Sequence, residues 1–127
     1  MKTILVDAVE TLVDYDGSVN EELKNYLLSL PNKKIVLTNA PYTKFNLYFK
    51  NIKGWEIFTL EHNPNKANPE YFKKMFANYS LTKDNVVYFE HSAEAIKSAQ
   101  SVGIKSYHYD STKKDLVALK KFLSENL

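Results

Sequence analysis

Thr3-Ile4-Leu5-Val6-Asp7-Ala8-Val9-Glu10-Thr11-Leu12 opens on four strand-forming residues and breaks at an acid. A short β-branched and apolar run of this kind reads as a fully buried strand. Aspartate is depleted in strands, so Asp7 is expected at the exit. In open α/β sheets that exit lies on the edge where ligands bind. Taken alone, Asp7 reads equally as a nucleophile or metal ligand and as an acid capping nearby backbone.

Downstream, strand-like and helix-like segments alternate. The strand candidates are residues 3–6, 34–37, 56–60, 86–89 and 105–109. The helix candidates are 21–29, 42–49, 69–79, 93–102 and 113–124. Asn68 can cap the third helix with Pro69 in its first turn; Ser92 can cap the fourth, and Gly103 can end it in a left-handed turn. Asp14–Val19 reads as a turn or small flap. The alternation predicts an α/β domain of three layers, Rossmann-like, with a five-stranded parallel sheet, helices on both faces and Asp7 central. No repeat, linker or low-complexity stretch divides the chain, so residues 1–127 are expected to form one domain.

Composition narrows the function. At 127 residues and 44% hydrophobic, the chain can bury an ordinary core, and 13% aromatic residues argue against disorder. All 17 basic residues are lysine. Without arginine's bidentate fork, an anion site must use lysine, hydroxyls and backbone N–H groups. The lysines are dispersed and net charge is only +2, which argues against a nucleic-acid partner. The absence of cysteine excludes disulfides and thiolate-bound metals. There is no signal-peptide pattern and no apolar stretch of membrane-spanning length, so the expected location is the cytoplasm, with no membrane partner.

Three further stretches carry chemistry. Leu37-Thr38-Asn39 ends the second strand, where a hydroxyl and following N–H groups can hold a phosphoryl oxygen; Asn39 and Pro41 also suit an ordinary turn. Lys66, before a marked helix start, can neutralise a phosphoryl group or be one surface lysine among many. Glu90-His91-Ser92 follows the fourth strand, where acid and imidazole can bind a metal or relay protons. The competing reading is a capped turn with an exposed histidine. His62 and His108 lack such context and read as structural.

The order of these stretches resembles the haloacid dehalogenase superfamily, dominated by magnesium-dependent phosphatases. Residues 7–12 are similar to its first motif, D-x-D-G-T-L, and Leu37-Thr38-Asn39 to its second. Residues 66–72 (KANPEYF) are similar to its third, and residues 87–92 through Gly103-Ile104 to its fourth. The resemblance implies a phosphohydrolase in which Asp7 attacks phosphorus and forms an aspartyl-phosphate. It implies that Asp7 and the Val9 carbonyl bind Mg²⁺, and that Thr38, Asn39 and Lys66 hold the phosphoryl group.

The departures from that pattern are specific. Val9 stands where the family has its general acid, a contribution of about 10²–10⁴-fold in rate. His91 and Ala95 stand at the two acidic positions of the fourth motif, with Glu90 one place early. Glu90 and His91 are then the remaining metal candidates, His91 favouring Mn²⁺ or Zn²⁺. Glu10 replaces a glycine; whether Glu10, Glu90 or Glu94 rebuilds the lost acidity depends on side-chain directions. The short connections leave no room for the family's cap domain, which implies a large or macromolecular phosphorylated substrate, or a lid from a second copy in a homo-oligomer. The alternative is a degenerate domain that binds a ligand or protein partner without turnover. A receiver domain is set aside, because it needs an acidic pair after strand one and an aspartate after strand three.

Overall fold

β1 (Thr3–Asp7) is the middle of the sheet because it can be buried on both sides: its five residues are all buried. In the computed structural model, which describes residues 1–127, it is joined by β2 (Lys34–Thr38), β3 (Glu56–Thr59), β4 (Val86–Glu90) and β5 (Lys105–His108). The strand order is β3-β2-β1-β4-β5, and every pairing is parallel. β1, β2 and β4 read as nearly continuous apolar runs, as strands covered on both faces should. β5 (Lys-Ser-Tyr-His) lies on the edge and has no buried residue.

Five helices complete the fold: α1 (Glu21–Ser29), α2 (Phe45–Tyr48), α3 (Glu70–Tyr79), α4 (Ala93–Ser101) and α5 (Leu116–Asn126). One core, on the face carrying Ile4, Val6, Val36, Val87 and Phe89, packs against Leu23 and Leu27 of α1 and Leu119 and Leu123 of α5. The other, on the face carrying Leu5, Ile35, Leu37 and Tyr88, packs against Tyr71, Phe72 and Met75 of α3 and Ala99 of α4. The three-layer α/β architecture expected from the alternation is therefore present, with Asp7 at the end of the central strand. No helix is long and apolar enough to cross a membrane.

The element bounds differ from the expected ones where a local group overrides the pattern. β1, β2 and β4 each run one residue further than expected, so Asp7, Thr38 and Glu90 are the last residues of their strands. The ladder reaches that far, pairing Asp7 with Leu37, Thr38 with Thr59 and Glu90 with His108. The segment expected as one helix over 42–49 is a 3₁₀ turn, Tyr42–Lys44, followed by the single turn of α2. Pro41 offers no side-chain cap there, and the turn closes by Lys44 N–H donating to the Pro41 carbonyl, 2.9 Å. α3 begins at Glu70 with Pro69 at the cap; Asn68 Oδ1 instead accepts from Glu70 N–H at 3.0 Å. α5 starts three residues later than expected. Asp110 holds the preceding turn through Thr112 and Lys113, and Asp115 is the cap, accepting from Ala118 N–H at 3.0 Å. Ser92 caps α4 as expected, and Gly103 follows that helix at φ +86°.

Candidate active site

Parallel strands place Asp7, Thr38 and Glu90 on one sheet edge, where an open cleft of about 520 Å³ forms. Asp7 lies at its floor, only 1% exposed. Strand alternation puts Asp7, like Leu5, on the α3/α4 face, and Glu90 on that same face two residues after Tyr88.

Lys66 enters from the loop before α3. Asn39 Oδ1 accepts from the Lys66 backbone N–H at 2.8 Å, so Asn39 anchors that loop to the end of β2. The Lys66 ammonium then donates to Asp7 Oδ1 at 2.7 Å and to Glu90 Oε1 at 2.6 Å, with the Leu37 carbonyl at 3.3 Å. Burial disfavours a charged lysine, but the two carboxylates overcome that and hold its pKa above the usual value.

Three donors converge on Asp7 Oδ2: the Thr11 hydroxyl at 2.6 Å, His91 Nδ1 at 2.5 Å and the His91 backbone N–H at 3.3 Å. Burial alone would raise the Asp7 pKa; the Lys66 charge and the His91 hydrogen bond outweigh it and keep the carboxyl well below the usual carboxylate range. His91 is pushed up to about 10, first by its hydrogen bond to Asp7 and then by Glu90. Its Nδ1 also lies 3.2 Å from Glu90 Oε2, and its Nε2 lies 2.8 Å from Glu10 Oε2. Glu10 reaches this position from a left-handed backbone, φ +72°, which L-residues adopt at a cost of about 1–2 kcal/mol.

Glu90 is fully buried yet satisfied. Besides Lys66, its Oε1 accepts from the Tyr88 hydroxyl, and its Oε2 accepts from Ser92 N–H at 3.1 Å. Asp7, Glu90 and His91 each present one metal-capable atom, all within 4.8 Å of one another. As they stand, these atoms bond one another and the surrounding donors. Ala95 lines the cleft and adds no acid, while Glu94 beside it does.

Among the expected site residues, Asp7, Lys66, Glu90 and His91 form one bonded cluster. Thr38, Asn39 and Val9 line the same cleft. Thr38 is 3% exposed, and its Oγ1 accepts from Ala40 N–H at 3.1 Å. Tyr71 on α3 supports that strand end: its hydroxyl accepts from Thr38 N–H at 3.1 Å and lies 2.9 Å from the Thr38 and Phe58 carbonyls.

Other participants had no signal in the sequence. His62 has no motif around it but lines the cleft, as do Tyr15, Lys44 and Tyr48. His108, on β5, has its Nε2 2.8 Å from the His91 carbonyl. Tyr88 was the recoverable one: a period-two count along β4 puts its hydroxyl on the same face as Glu90.

No protein-family model and no curated protein matches the sequence. Among solved structures, D,D-heptose 1,7-bisphosphate phosphatase from B. bronchiseptica, complexed with magnesium and phosphate, aligns over 94% of this chain and 87% of its own, with TM-score 0.68 and 15% identity. A HAD family enzyme from Bacteroides thetaiotaomicron, a mutant in complex with magnesium and inorganic phosphate, aligns over 85% of this chain and 93% of its own, with TM-score 0.63 and 16% identity. The chain has the haloacid dehalogenase-like (HAD-like) fold. Within that fold, residues from the stretches around Asp7, Thr38, Lys66 and Glu90 line one cleft.

Proposed function

We propose that this protein is a HAD-like phosphohydrolase acting on a phosphorylated substrate through Asp7. The observation that carries this reading is the Asp7 carboxyl at the floor of an open cleft, its Oδ1 2.7 Å from the buried Lys66 Nζ and beside Thr38. Oδ2 is occupied by three donors, whereas Oδ1 accepts from Lys66 alone and keeps a lone pair for attack on phosphorus. Lys66 and the Thr38–Ala40 turn supply positive charge and donors for the phosphoryl oxygens. Attack forms the Asp7 acyl-phosphate as the bond from phosphorus to the leaving oxygen breaks. Water then cleaves that intermediate, releasing phosphate and restoring the carboxylate. Val9 has no proton to give the leaving oxygen, so the favoured substrates are those whose leaving group departs as a stable anion. The cleft is open enough for a bulky substrate.

A second reading is capture of a phosphorylated ligand without turnover. It is favoured by Val9 at the proton-donor position and by the tight hydrogen-bonding of Asp7. Hydrolysis of p-nitrophenyl phosphate, with and without Mg²⁺, Mn²⁺ and Zn²⁺, decides between them when wild type is run against Asp7→Asn. Turnover lost in the variant supports the hydrolase. Phosphate binding by calorimetry with no turnover above the variant supports capture, and neither binding nor turnover sinks both.

A further inference from the structure

One cluster of metal-ligating side chains converges in this molecule, and it is the cluster around Asp7. The structural neighbours above hold magnesium, an ion that demands near-octahedral oxygen ligands at about 2.0–2.1 Å. Here the oxygens such an ion would use already carry donors, and Asp7 Oδ1 is the one that keeps a lone pair beside a single donor. Asp7 Oδ1 is bound by Lys66, and Asp7 Oδ2 by Thr11 and twice by His91. Glu90 Oε1 is bound by Lys66 and Tyr88, and Glu90 Oε2 by Ser92 N–H, with His91 Nδ1 3.2 Å away.

The imidazole sits among three carboxylates. Nδ1 faces Asp7 and Glu90, and Nε2 faces Glu10 at 2.8 Å. Lys66 meets Asp7 and Glu90 through their other oxygens. An ion bound to Asp7 Oδ2 would have to share that oxygen with a ring nitrogen only 2.5 Å away from it. It would also have to enter beside the Lys66 ammonium, which already lies 2.7 Å from Asp7 and 2.6 Å from Glu90.

We infer that the His91 imidazole stands where a divalent cation would, bonded to Asp7 and facing Glu90 and Glu10, so that the Asp7 cleft does not bind Mg²⁺ or Mn²⁺. The three-carboxylate cage with its central imidazole leaves no oxygen pair free for a hard ion. Glu10 fits this arrangement, since its strained backbone serves to bring a third carboxylate onto Nε2. The inference goes beyond the proposed function and does not depend on turnover, because it is read on the ligand-free protein.

The test is calorimetric titration of the intact wild-type protein with MgCl₂ and MnCl₂, alongside thermal melts at rising ion concentration. No saturable heat and an unchanged Tm are expected. In parallel, the His91 ring signals of ¹⁵N-labelled wild type should show no selective paramagnetic broadening on adding Mn²⁺. Saturable Mg²⁺ binding that is lost in Asp7→Asn would overturn the inference, as would selective broadening of the His91 ring. The variant H91D returns an acid to that position and should acquire a Mg²⁺-dependent rise in Tm. A folded H91D that ignores Mg²⁺ would show that His91 is not what excludes the ion. Should H91D fail to fold, the wild-type titration and the ring signals decide alone. Absence of p-nitrophenyl phosphate hydrolysis would count against the proposed function and leave these metal readouts untouched.

Discussion

The two faces of the sheet are built differently. The face covered by α1 and α5 is packed mainly by aliphatic residues, with Phe49, Phe89 and Tyr109 as its buried aromatics. The face covered by α3 and α4 buries Tyr71, Phe72 and Tyr88, and two of those hydroxyls bond the cleft residues Thr38 and Glu90. One face therefore stabilises mainly by removing apolar surface from water, and its one buried hydroxyl, on Tyr109, meets Asn20 and not the Asp7 cluster. The other stabilises too, but its polar tips hold Thr38 and Glu90 in position. Buried tyrosine suits that arrangement because the ring packs while the hydroxyl finds a partner. The cost is a set of charges held out of water, tolerable only while each stays paired.

The contrast can be broken most severely at Lys66. Lys66→Met removes the ammonium shared by the buried Asp7 and Glu90 and leaves them His91 alone, and unfolding in denaturant should show a loss of about 3–5 kcal/mol. Phosphate binding, followed by calorimetry under conditions where the variant remains folded, should disappear with it. On the other face, Leu27→Ala removes a fully buried side chain and should cost about 2–5 kcal/mol by the same assay. Its phosphate binding should survive at temperatures well below its Tm. Two variants of similar cost but opposite effect on the ligand would confirm the division of labour; parallel loss of binding would refute it.

Tyr88→Phe tests the dual use of one residue. The ring remains, but Glu90 loses a buried donor, so the expected cost is about 1–3 kcal/mol. Leu5→Val on the same face lacks that polar duty, and a double-mutant cycle of Tyr88→Phe with Glu90→Gln should show coupling that Leu5→Val with Glu90→Gln does not.

A smaller effect should appear in the pH dependence. His91 holds its proton up to about 10 when folded, against 6.5 when unperturbed, so its contribution is complete below about 6.5. That stability is lost progressively as pH rises toward 10. Asp7 acts in the opposite direction. Its pKa is depressed from 3.8, so its contribution is present above about 3.8 and fades as pH falls below that value. Tm followed from about pH 6 to 10 should fall in wild type and fall less in His91→Ala; identical alkaline limbs would show that the folded-state shift of His91 is absent.

The smallest expected change is in Glu10→Gly. Glycine relieves the left-handed backbone, worth about 1 kcal/mol, while the exposed contact to His91 that it removes is worth about 0–1 kcal/mol. Tm should hardly move, but the alkaline limb should shift to lower pH because His91 has lost one carboxylate. A large Tm change would show that Glu10 does more than face the imidazole.

Much of this was legible in the chain itself. Ile4-Leu5-Val6 before Asp7 marked the buried central strand, and the β/α alternation marked the parallel sheet. Local chemistry placed the Ser92 cap and the Gly103 turn to the residue. Asp7, Thr38 and Glu90 were marked in advance because a parallel sheet gathers strand exits on one edge, and Lys66 because it precedes a marked helix start. Where local patterns failed, a capping group was responsible: Asp115 moved the start of α5, and the 42–49 segment lacked a cap to sustain a helix.

The partners of those residues were not legible. Periodicity carries no information about whether Lys66 turns to solvent or spans from α3's loop to Asp7, 59 positions away. Nor does it show that Glu10, from a left-handed turn, would meet His91, or that His62 would join the cleft. The sequence by itself determined the layers, the central strand and the acids at its edge, because those follow from hydrophobic period and strand exits. Only the tertiary structure decided that His91 and Lys66 close on Asp7 and Glu90, because pairing buried charges depends on where distant segments meet.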